Sequence, residues 1–300
     1  MPQGTPAYPG ADEVPLPLPF PVESATPAGG LVPSPTPSVP FDPAPASPTP
    51  TPAAVTFQYE PWPGIVHVLH AERQVGAYTL RLWRDANSAG LNMLGLAEIA
   101  APGQASIFVE GALAWLDLPA LDVTGEGEPD VAILANPVGS NHCCHSTHVY
   151  NLGATADRVL LRADQAYSFG GTGAFEDLDG DGRYEFLTRA PIRAPCSQPT
   201  VRLVFEYQPG RGYVAAGARF AEFYTSEAIA RTPASGSDPL DVCGLWEMTI
   251  LHHLAGQPDT ARAEFQRLTA EAAEAQALWA QILADMRQNP DLSEAVGALP

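Results

Sequence analysis

Between residues 55 and 220 the chain alternates short apolar and polar runs, which is the pattern of β-strands. In residues 77–83 this alternation places Tyr78, Leu80 and Leu82 on one face. The other predicted strands are rich in β-branched and aromatic residues and are separated by Gly, Pro, Asn and Asp: 55–59, 106–109, 130–134, 147–152, 158–161, 184–188 and 201–207. Strands this short and this closely spaced predict a mainly β, antiparallel fold, either sandwich-like or an incomplete propeller.

After residue 220 the apolar spacing changes from a period of two to the period of a helix. Residues 221–231 predict a short helix, and Asp238 is the predicted N-cap of a second helix with His252 and His253 at its exposed edge. A longer apolar stripe over residues 259–288 predicts a third helix, which packs back on the second. The sequence therefore predicts a C-terminal α-helical hairpin.

Proline dominates the N-terminal segment, where 17 of the 32 prolines fall in residues 2–52. Proline fixes φ and removes a backbone donor, so alternate prolines favour an extended polyproline II chain. Such a segment buries too little apolar surface to offset its ordering entropy. We predict a disordered Pro-rich tether at residues 1–54, a β domain at 55–220 and the helical hairpin at 221–300. A tail without a role is the alternative interpretation of the first segment.

The charge balance narrows the classes of partner. All 15 basic residues are arginine, and 34 acidic residues give a net charge of −19. A chain this acidic lacks the basic footprint that nucleic acids require, and it is repelled by anionic membrane surfaces. No apolar run reaches the ~18 residues of a membrane-spanning helix. The sequence also lacks the nucleophile-elbow, zinc-protease and phosphate-loop motifs, so it favours a non-enzymatic protein.

The most informative motif is D-L-D-G-D-G-R-Y-E, in which acidic side chains take the first, third, fifth and ninth positions: Asp177, Asp179, Asp181 and Glu185. Carboxylates at alternate positions of a curled loop converge on a hard cation, and glycine at the sixth position permits the sharp turn. Arg183 offers its backbone carbonyl oxygen as a further ligand. We predict a strong Ca²⁺ site here. The following residues are apolar, so the loop leads into a strand.

A second copy of the motif begins 55 residues earlier, with its ligand positions at Asp122, Thr124, Glu126 and Asp130. It also has glycine at the sixth position and a predicted strand after it, which together indicate a repeat. Threonine replaces one carboxylate, so less charge converges, and we predict a weak Ca²⁺ site. A pair of Asp/Gly-rich turns without metal is the alternative interpretation of both loops.

Both loops resemble the calcium loops of FG-GAP or VCBS-type repeats, which occur in integrin-like β-propellers and in bacterial cell-surface proteins. The segment around His142 also resembles a His-Cys-Cys segment of some bacterial extracytoplasmic proteins. The resemblance covers about residues 110–215. It implies calcium binding and a location outside the cytoplasm, and it implies little about activity. Two loops are too few for a complete propeller, so a sandwich-like fold or an incomplete propeller is favoured.

The four cysteines, Cys143, Cys144, Cys196 and Cys243, allow three pairings. In the resembling segment the adjacent pair occurs by itself, which favours a Cys196–Cys243 bond. The competing pairing joins one of the adjacent cysteines to Cys196 and the other to Cys243. An even cysteine count together with a calcium loop fits an oxidising compartment. Four reduced cysteines in a cytoplasmic protein are the alternative.

Three histidines, His142, His145 and His148, interleave with Cys143 and Cys144. Zinc and copper use these ligand types, but the spacing matches no standard zinc finger or hydrolase site. A transition-metal site and ordinary histidines in a cysteine-bearing loop both remain open from the sequence.

Taken together, these features predict a non-enzymatic, calcium-stabilised extracytoplasmic protein, secreted or on the cell surface. Its expected role is binding or structural, with a protein or glycan partner at the cell surface. The first residues lack the basic and apolar regions of a secretory leader, so we expect that a leader was removed. The alternatives are an extracytoplasmic hydrolase acting on a glycan and a subunit of a surface filament or envelope complex.

Overall fold

A computed structural model describes residues 54–87, 95–136, 145–159, 173–196, 199–234, 240–270 and 274–297. Within these ranges the chain forms thirteen β-strands in three antiparallel sheets, followed by five α-helices. The predicted fold class, mainly β with C-terminal helices, is confirmed. The predicted tether lies almost entirely outside the described residues.

Each sheet is an antiparallel meander whose neighbouring strands are consecutive in the chain. Sheet 1 contains β1 (Thr56–Phe57), β2 (His67–Val75), β3 (Tyr78–Asp85), β4 (Leu96–Ala100) and β5 (Ile107–Glu110). Sheet 2 contains β6 (Ala112–Trp115), β7 (Asp130–Ala135), β8 (Ser146–Leu152) and β9 (Ala156–Val159). Sheet 3 contains β10 (Ala174–Glu176), β11 (Glu185–Pro191), β12 (Thr200–Gln208) and β13 (Gly212–Ala216). The chain therefore completes one sheet before it begins the next.

Sheet 2 lies between the other two sheets. Every residue of β7 is buried, although successive side chains of a strand point to opposite faces. Val131 and Ile133 pack in a core shared with sheet 1, around Leu80. Ala132, on the other face, belongs to a second core shared with sheet 3. Both faces of sheet 2 are covered, which explains the continuous apolar run in its sequence.

Sheet 3 is covered on its second face by the helices. Val204 and Phe205 are neighbours in β12, point to opposite faces and are both fully buried. The helices that share this core are α1 (Ala221–Arg231), α2 (Val242–Leu254), α3 (Pro258–Leu268), α4 (Ala275–Gln288) and α5 (Pro290–Val296). In α1, the Tyr224 hydroxyl donates to the Ala216 carbonyl oxygen at 2.8 Å and accepts from the Val204 amide at 2.9 Å. This tyrosine fixes the first helix to the paired strands β12 and β13.

The helical region departs from the predicted hairpin in two places. Helix α1 has the predicted bounds, but α2 begins at Val242, and its N-cap is Asp241 instead of Asp238. The Asp241 carboxylate accepts from the Gly244 amide at 2.9 Å, and a Cβ atom on Gly244 would lie 2.6 Å from that carboxylate. The predicted long helix is also divided, because α3 ends at Leu268 and α4 begins at Ala275.

His252 and His253 are buried, which corrects the prediction that they lie on an exposed edge. Helix α2 is surrounded by apolar neighbours and has no solvent face along most of its length. Among the described residues the His253 Nε2 atom has no hydrogen-bond partner, and its ring lies 6.0 Å from that of Trp279. Burial, with a smaller contribution from the charge of His252, lowers the pKa of His253 to about 4.

A buried aspartate connects the helices to sheet 3. The Asp285 carboxylate is 4% exposed and accepts from the Trp246 indole at 3.0 Å. It also accepts from the Arg193 backbone amide at 2.7 Å, just after β11. Near the end of the same helix, the Asn289 side chain donates to the Pro191 carbonyl oxygen at 3.0 Å. Helix α4 is thereby held to both α2 and the end of β11.

A disulfide bond joins Cys196 to Cys243, with their Cα atoms 6.2 Å apart. It connects the loop between β11 and β12 to the first turn of α2, as the favoured pairing predicted. Cys143 and Cys144 lie outside the described residues.

The described helices and strands all fall within one compact unit, Pro52–Pro300. The predicted boundary at residue 220, between the β domain and the helical hairpin, stays a prediction. None of the helices in the described ranges has the length and hydropathy needed to cross a bilayer.

A Cys196→Ala/Cys243→Ala variant should lower the free energy of unfolding by up to about 4 kcal/mol. The bond spans 47 residues, and without it the unfolded chain gains conformational entropy. Urea unfolding without reductant measures the loss while Cys143 and Cys144 stay unchanged. A variant as stable as the parent protein would contradict this role for the bond.

Acidification should destabilise the protein through His253. Its pKa in the folded state, about 4, lies below the ~6.5 of an unfolded chain, so its stabilising contribution is complete above pH ~6.5 and falls as the pH drops towards 4. The free energy of unfolding, measured from pH 7 to 5, should fall less steeply in His253→Gln than in the parent. The matched change at exposed His70, His70→Gln, should alter this slope less. Equal slopes in the parent and His253→Gln would refute the assignment.

Candidate functional site

The two Asp/Gly loops occupy the same place in successive sheets. The 122 loop, residues 122–129, follows β6 and leads into β7, whereas the 177 loop, residues 177–184, joins β10 to β11. Each therefore connects the first and second strands of its sheet. This equivalence agrees with the 55-residue repeat seen in the sequence.

In the 122 loop, the first aspartate organises the backbone. The Asp122 carboxylate accepts from the Gly125 and Gly127 amides, both at 2.7 Å. Asp130, at the ninth position, accepts from the Val123 and Thr124 amides at 2.8 and 2.9 Å. Both glycines have positive φ, which most other residues adopt only with strain.

The 177 loop repeats this arrangement. The Asp177 carboxylate accepts from the Gly180 and Gly182 amides at 2.7 and 3.2 Å, and both glycines again have positive φ. Glu185, at the ninth position, accepts from the Leu178 amide at 2.8 Å. The two loops therefore share their backbone shape as well as their sequence pattern.

Three acidic groups of the 177 loop converge. Oxygen atoms of Asp177, Asp179 and Glu185 lie within 4.8 Å of one another, and this is the one such group of three within the described ranges. Two oxygens that bind one calcium ion at about 2.3–2.6 Å lie at most about 5 Å apart. The spacing of these three carboxylates therefore fits a single cation. Asp181, a predicted ligand, does not belong to the group, and its carboxylate accepts from the Arg183 amide at 2.8 Å.

An arginine that the sequence pattern did not indicate forms ion pairs with two aspartates of this loop. The Arg219 guanidinium lies 2.5 Å from the Asp179 carboxylate and 3.6 Å from that of Asp181. It also pairs with Glu206 in β12. Arg219 belongs to a short 3₁₀ turn, Ala218–Phe220, which precedes α1. It is distant from the loop in sequence, so only the packing of the turn brings it there.

Glu185 is the most buried of the three converging acids, at 2% exposed. Burial raises the pKa of its carboxyl, and the charges of Asp179 and Asp181 raise it further. An ionised Glu185 therefore costs free energy in this environment, and a bound cation would offset that cost.

In the 122 loop, Thr124 connects two of the other predicted ligands. The Thr124 hydroxyl donates towards Asp130 at 3.1 Å and lies 3.3 Å from Asp122. Glu126 instead lies near the Tyr207 hydroxyl, and burial together with this carboxylate raises the pKa of Tyr207. Burial raises the pKa of Asp130, as it does for Glu185 at the same position of the other loop. This loop supplies fewer converging charges than the 177 loop.

The two loops are in direct contact. The Tyr184 amide donates to the Val123 carbonyl oxygen at 2.9 Å. The Tyr213 hydroxyl, from β13, donates to the Tyr184 carbonyl oxygen at 3.1 Å. The Arg183 side chain packs so closely on Gly125 that a Cβ atom there would lie 2.7 Å from its Cγ. The two loops therefore share a backbone hydrogen bond and a packed side chain.

Only part of the histidine and cysteine cluster is described, because His142, Cys143 and Cys144 lie outside the described residues. His148 Nε2 lies 2.9 Å from the Ser146 hydroxyl. Burial, with the positive charge of Arg158, lowers the pKa of His148 to about 4. These contacts are those of a neutral, packed histidine.

Comparison with known proteins gives no relative for this chain: no family model matches it, and neither a curated protein nor a solved structure does.

A methyl group on Gly125 should be more destabilising than one on Gly180. Both residues have φ near +70°, so alanine costs about 1–2 kcal/mol at either position. A methyl group on Gly125 also displaces Arg183, whereas nothing lies within 4 Å of that position on Gly180. Urea unfolding should show that Gly125→Ala loses roughly 1 kcal/mol more than Gly180→Ala. Equal losses would show that contact between the loops adds no stability.

Proposed function

We propose that this protein is a calcium-stabilised, extracytoplasmic protein that binds a partner and is not an enzyme. The observation that carries the calcium part is the convergence of Asp177, Asp179 and Glu185. A hard cation that accepts six to eight oxygens suits this set of carboxylates. With the ion bound, these three side chains would be its ligands, and the backbone carbonyl of Arg183 is the further ligand expected from the motif.

The structure of the loops also supports the proposal that they are repeats of the FG-GAP or VCBS type. They are 55 residues apart, share their hydrogen bonds and lead into equivalent strands. In this proposal the 177 loop is the strong site. The 122 loop is the weak one, because Thr124 stands where the 177 loop has Asp179.

The proposed location is supported by the Cys196–Cys243 bond. Disulfides persist in oxidising compartments and are rare in reducing ones. Calcium at millimolar concentration is likewise available outside the cell, so both features favour the same environment. The glycan hydrolase and the envelope-complex subunit stay alternative predictions.

Calcium should raise the melting temperature through the 177 loop. At calcium concentrations near 100 times Kd, binding to the folded state alone stabilises by about 2.7 kcal/mol. Asp179→Ala should abolish most of this calcium-dependent rise, measured by thermal unfolding in chelator and in calcium. Calcium titration of the parent should show one tight site and at most one weak site.

Glu206→Ala is the matched control, since Asp179→Ala also removes a partner of Arg219. It removes another partner of the same guanidinium and leaves the loop carboxylates in place. Its calcium response should equal that of the parent protein. A full calcium response in Asp179→Ala, or two sites of equal affinity, would refute the assignment.

A further inference from the structure

One basic side chain reaches the acidic 177 loop from a distant part of the chain. Arg219 lies 40 residues after Asp179, in the 3₁₀ turn that precedes α1. Its guanidinium lies 2.5 Å from the Oδ2 atom of Asp179 and 3.6 Å from the Asp181 carboxylate. Asp179 is also one of the three converging acids. A cation bound by that group would therefore share a carboxylate with Arg219.

Both oxygen atoms of Asp179 already accept hydrogen bonds. Oδ2 accepts from Arg219, and Oδ1 accepts from the Asp181 backbone amide at 3.2 Å. The oxygens of Asp177 accept from the amides of Gly180 and Gly182, which carry no net charge. The Arg219 guanidinium is a different kind of donor, because it brings a full positive charge to the carboxylate.

The backbone of Arg219 is fixed by packing, whereas its side chain is open to solvent. The next residue, Phe220, is buried, and its amide donates to the Gly217 carbonyl oxygen at 2.8 Å. A Cβ atom on Gly217 would clash with the Ala295 carbonyl oxygen, so the turn lies tightly against α5. The Arg219 side chain is 47% exposed, and an exposed ion pair contributes little net free energy. The guanidinium therefore stays beside the loop but can leave Asp179 at small cost.

A divalent cation and a guanidinium that share one carboxylate repel each other. A charge of +2 and a charge of +1 a few ångströms apart change a binding constant about tenfold even in water. We propose that Arg219 is a built-in competitor of the calcium ion and lowers the calcium affinity of the 177 loop by pairing with Asp179. This inference rests on the calcium role proposed for that loop. It places the control of affinity in the turn before α1, outside the motif that supplies the ligands.

The test is calcium titration by calorimetry on the full chain at low ionic strength. Arg219→Gln should lower the Kd for calcium about tenfold, because the repulsion is removed. Arg219→Lys keeps the positive charge, so its Kd should stay closer to that of the parent protein. Arg84→Gln is the matched control, because it removes the same charge from an exposed position of β3 in sheet 1. Its Kd should equal that of the parent.

A second probe separates charge repulsion from a structural role of Arg219. Tb³⁺ is similar in size to Ca²⁺ and carries one more positive charge, so Arg219 repels it about 1.5 times as strongly. Arg219→Gln should therefore lower the Kd for Tb³⁺ about thirtyfold. Both gains in affinity should shrink as added salt screens the charges. If Arg219 instead held Asp179 in the orientation that binds the ion, its removal would raise both Kd values.

An unchanged or higher calcium Kd in Arg219→Gln would overturn the inference, as would equal gains for the two ions or an equal gain in Arg84→Gln. The inference and the calcium proposal fail in different ways. If the parent binds calcium through the 177 loop and Arg219→Gln binds it no more tightly, only the inference fails. If neither the parent nor Arg219→Gln binds calcium, both fail together.

Discussion

Sheets 2 and 3 are apolar on both faces, and the need to cover all four faces determines how the rest of the molecule is arranged. Sheet 1 covers one face of sheet 2, sheet 3 covers the other, and the helices cover the outer face of sheet 3. Helix α2 therefore lies inside the molecule and is apolar on nearly every side. The Cys196–Cys243 bond and the hydrogen bonds of Asp285 hold this last layer in place. Burial of apolar area provides the main stabilisation, and these polar links fix the position of the helices.

Hydrogen bonds within each loop define the shape of the two loops. Their first aspartates, Asp122 and Asp177, bind backbone amides of the loop, and Gly125 and Gly180 adopt the required positive φ. The acids at the ninth positions, Asp130 and Glu185, are buried, and Arg219 pairs with Asp179 and Asp181 of the 177 loop. Each loop therefore concentrates negative charge. In the proposed function a cation would stabilise the protein by neutralising that charge.

The sequence predicted the features whose signal is local. Alternation identified β3 and the strands after each loop, and the buried trio of Tyr78, Leu80 and Leu82 is confirmed. It missed β2, β4, β6, β10 and β13, which are short, mixed in composition or defined mainly by their partners. The burial of His252 and His253 was also missed, since a helical stripe does not show that a helix is surrounded. For the site, the motif identified the acids, but it gave no sign that Asp181 stays outside the group.

The sequence by itself determined the fold class, the repeated loop and the acids that each loop carries. These properties follow from residue spacing within a few positions, where backbone geometry leaves few alternatives. Only the tertiary structure decided which acids converge, that Arg219 reaches the 177 loop, and that Glu126 lies near the Tyr207 hydroxyl. Each of these depends on residues far apart in the chain that meet because sheets with two apolar faces must pack against one another. No local pattern encodes such a contact.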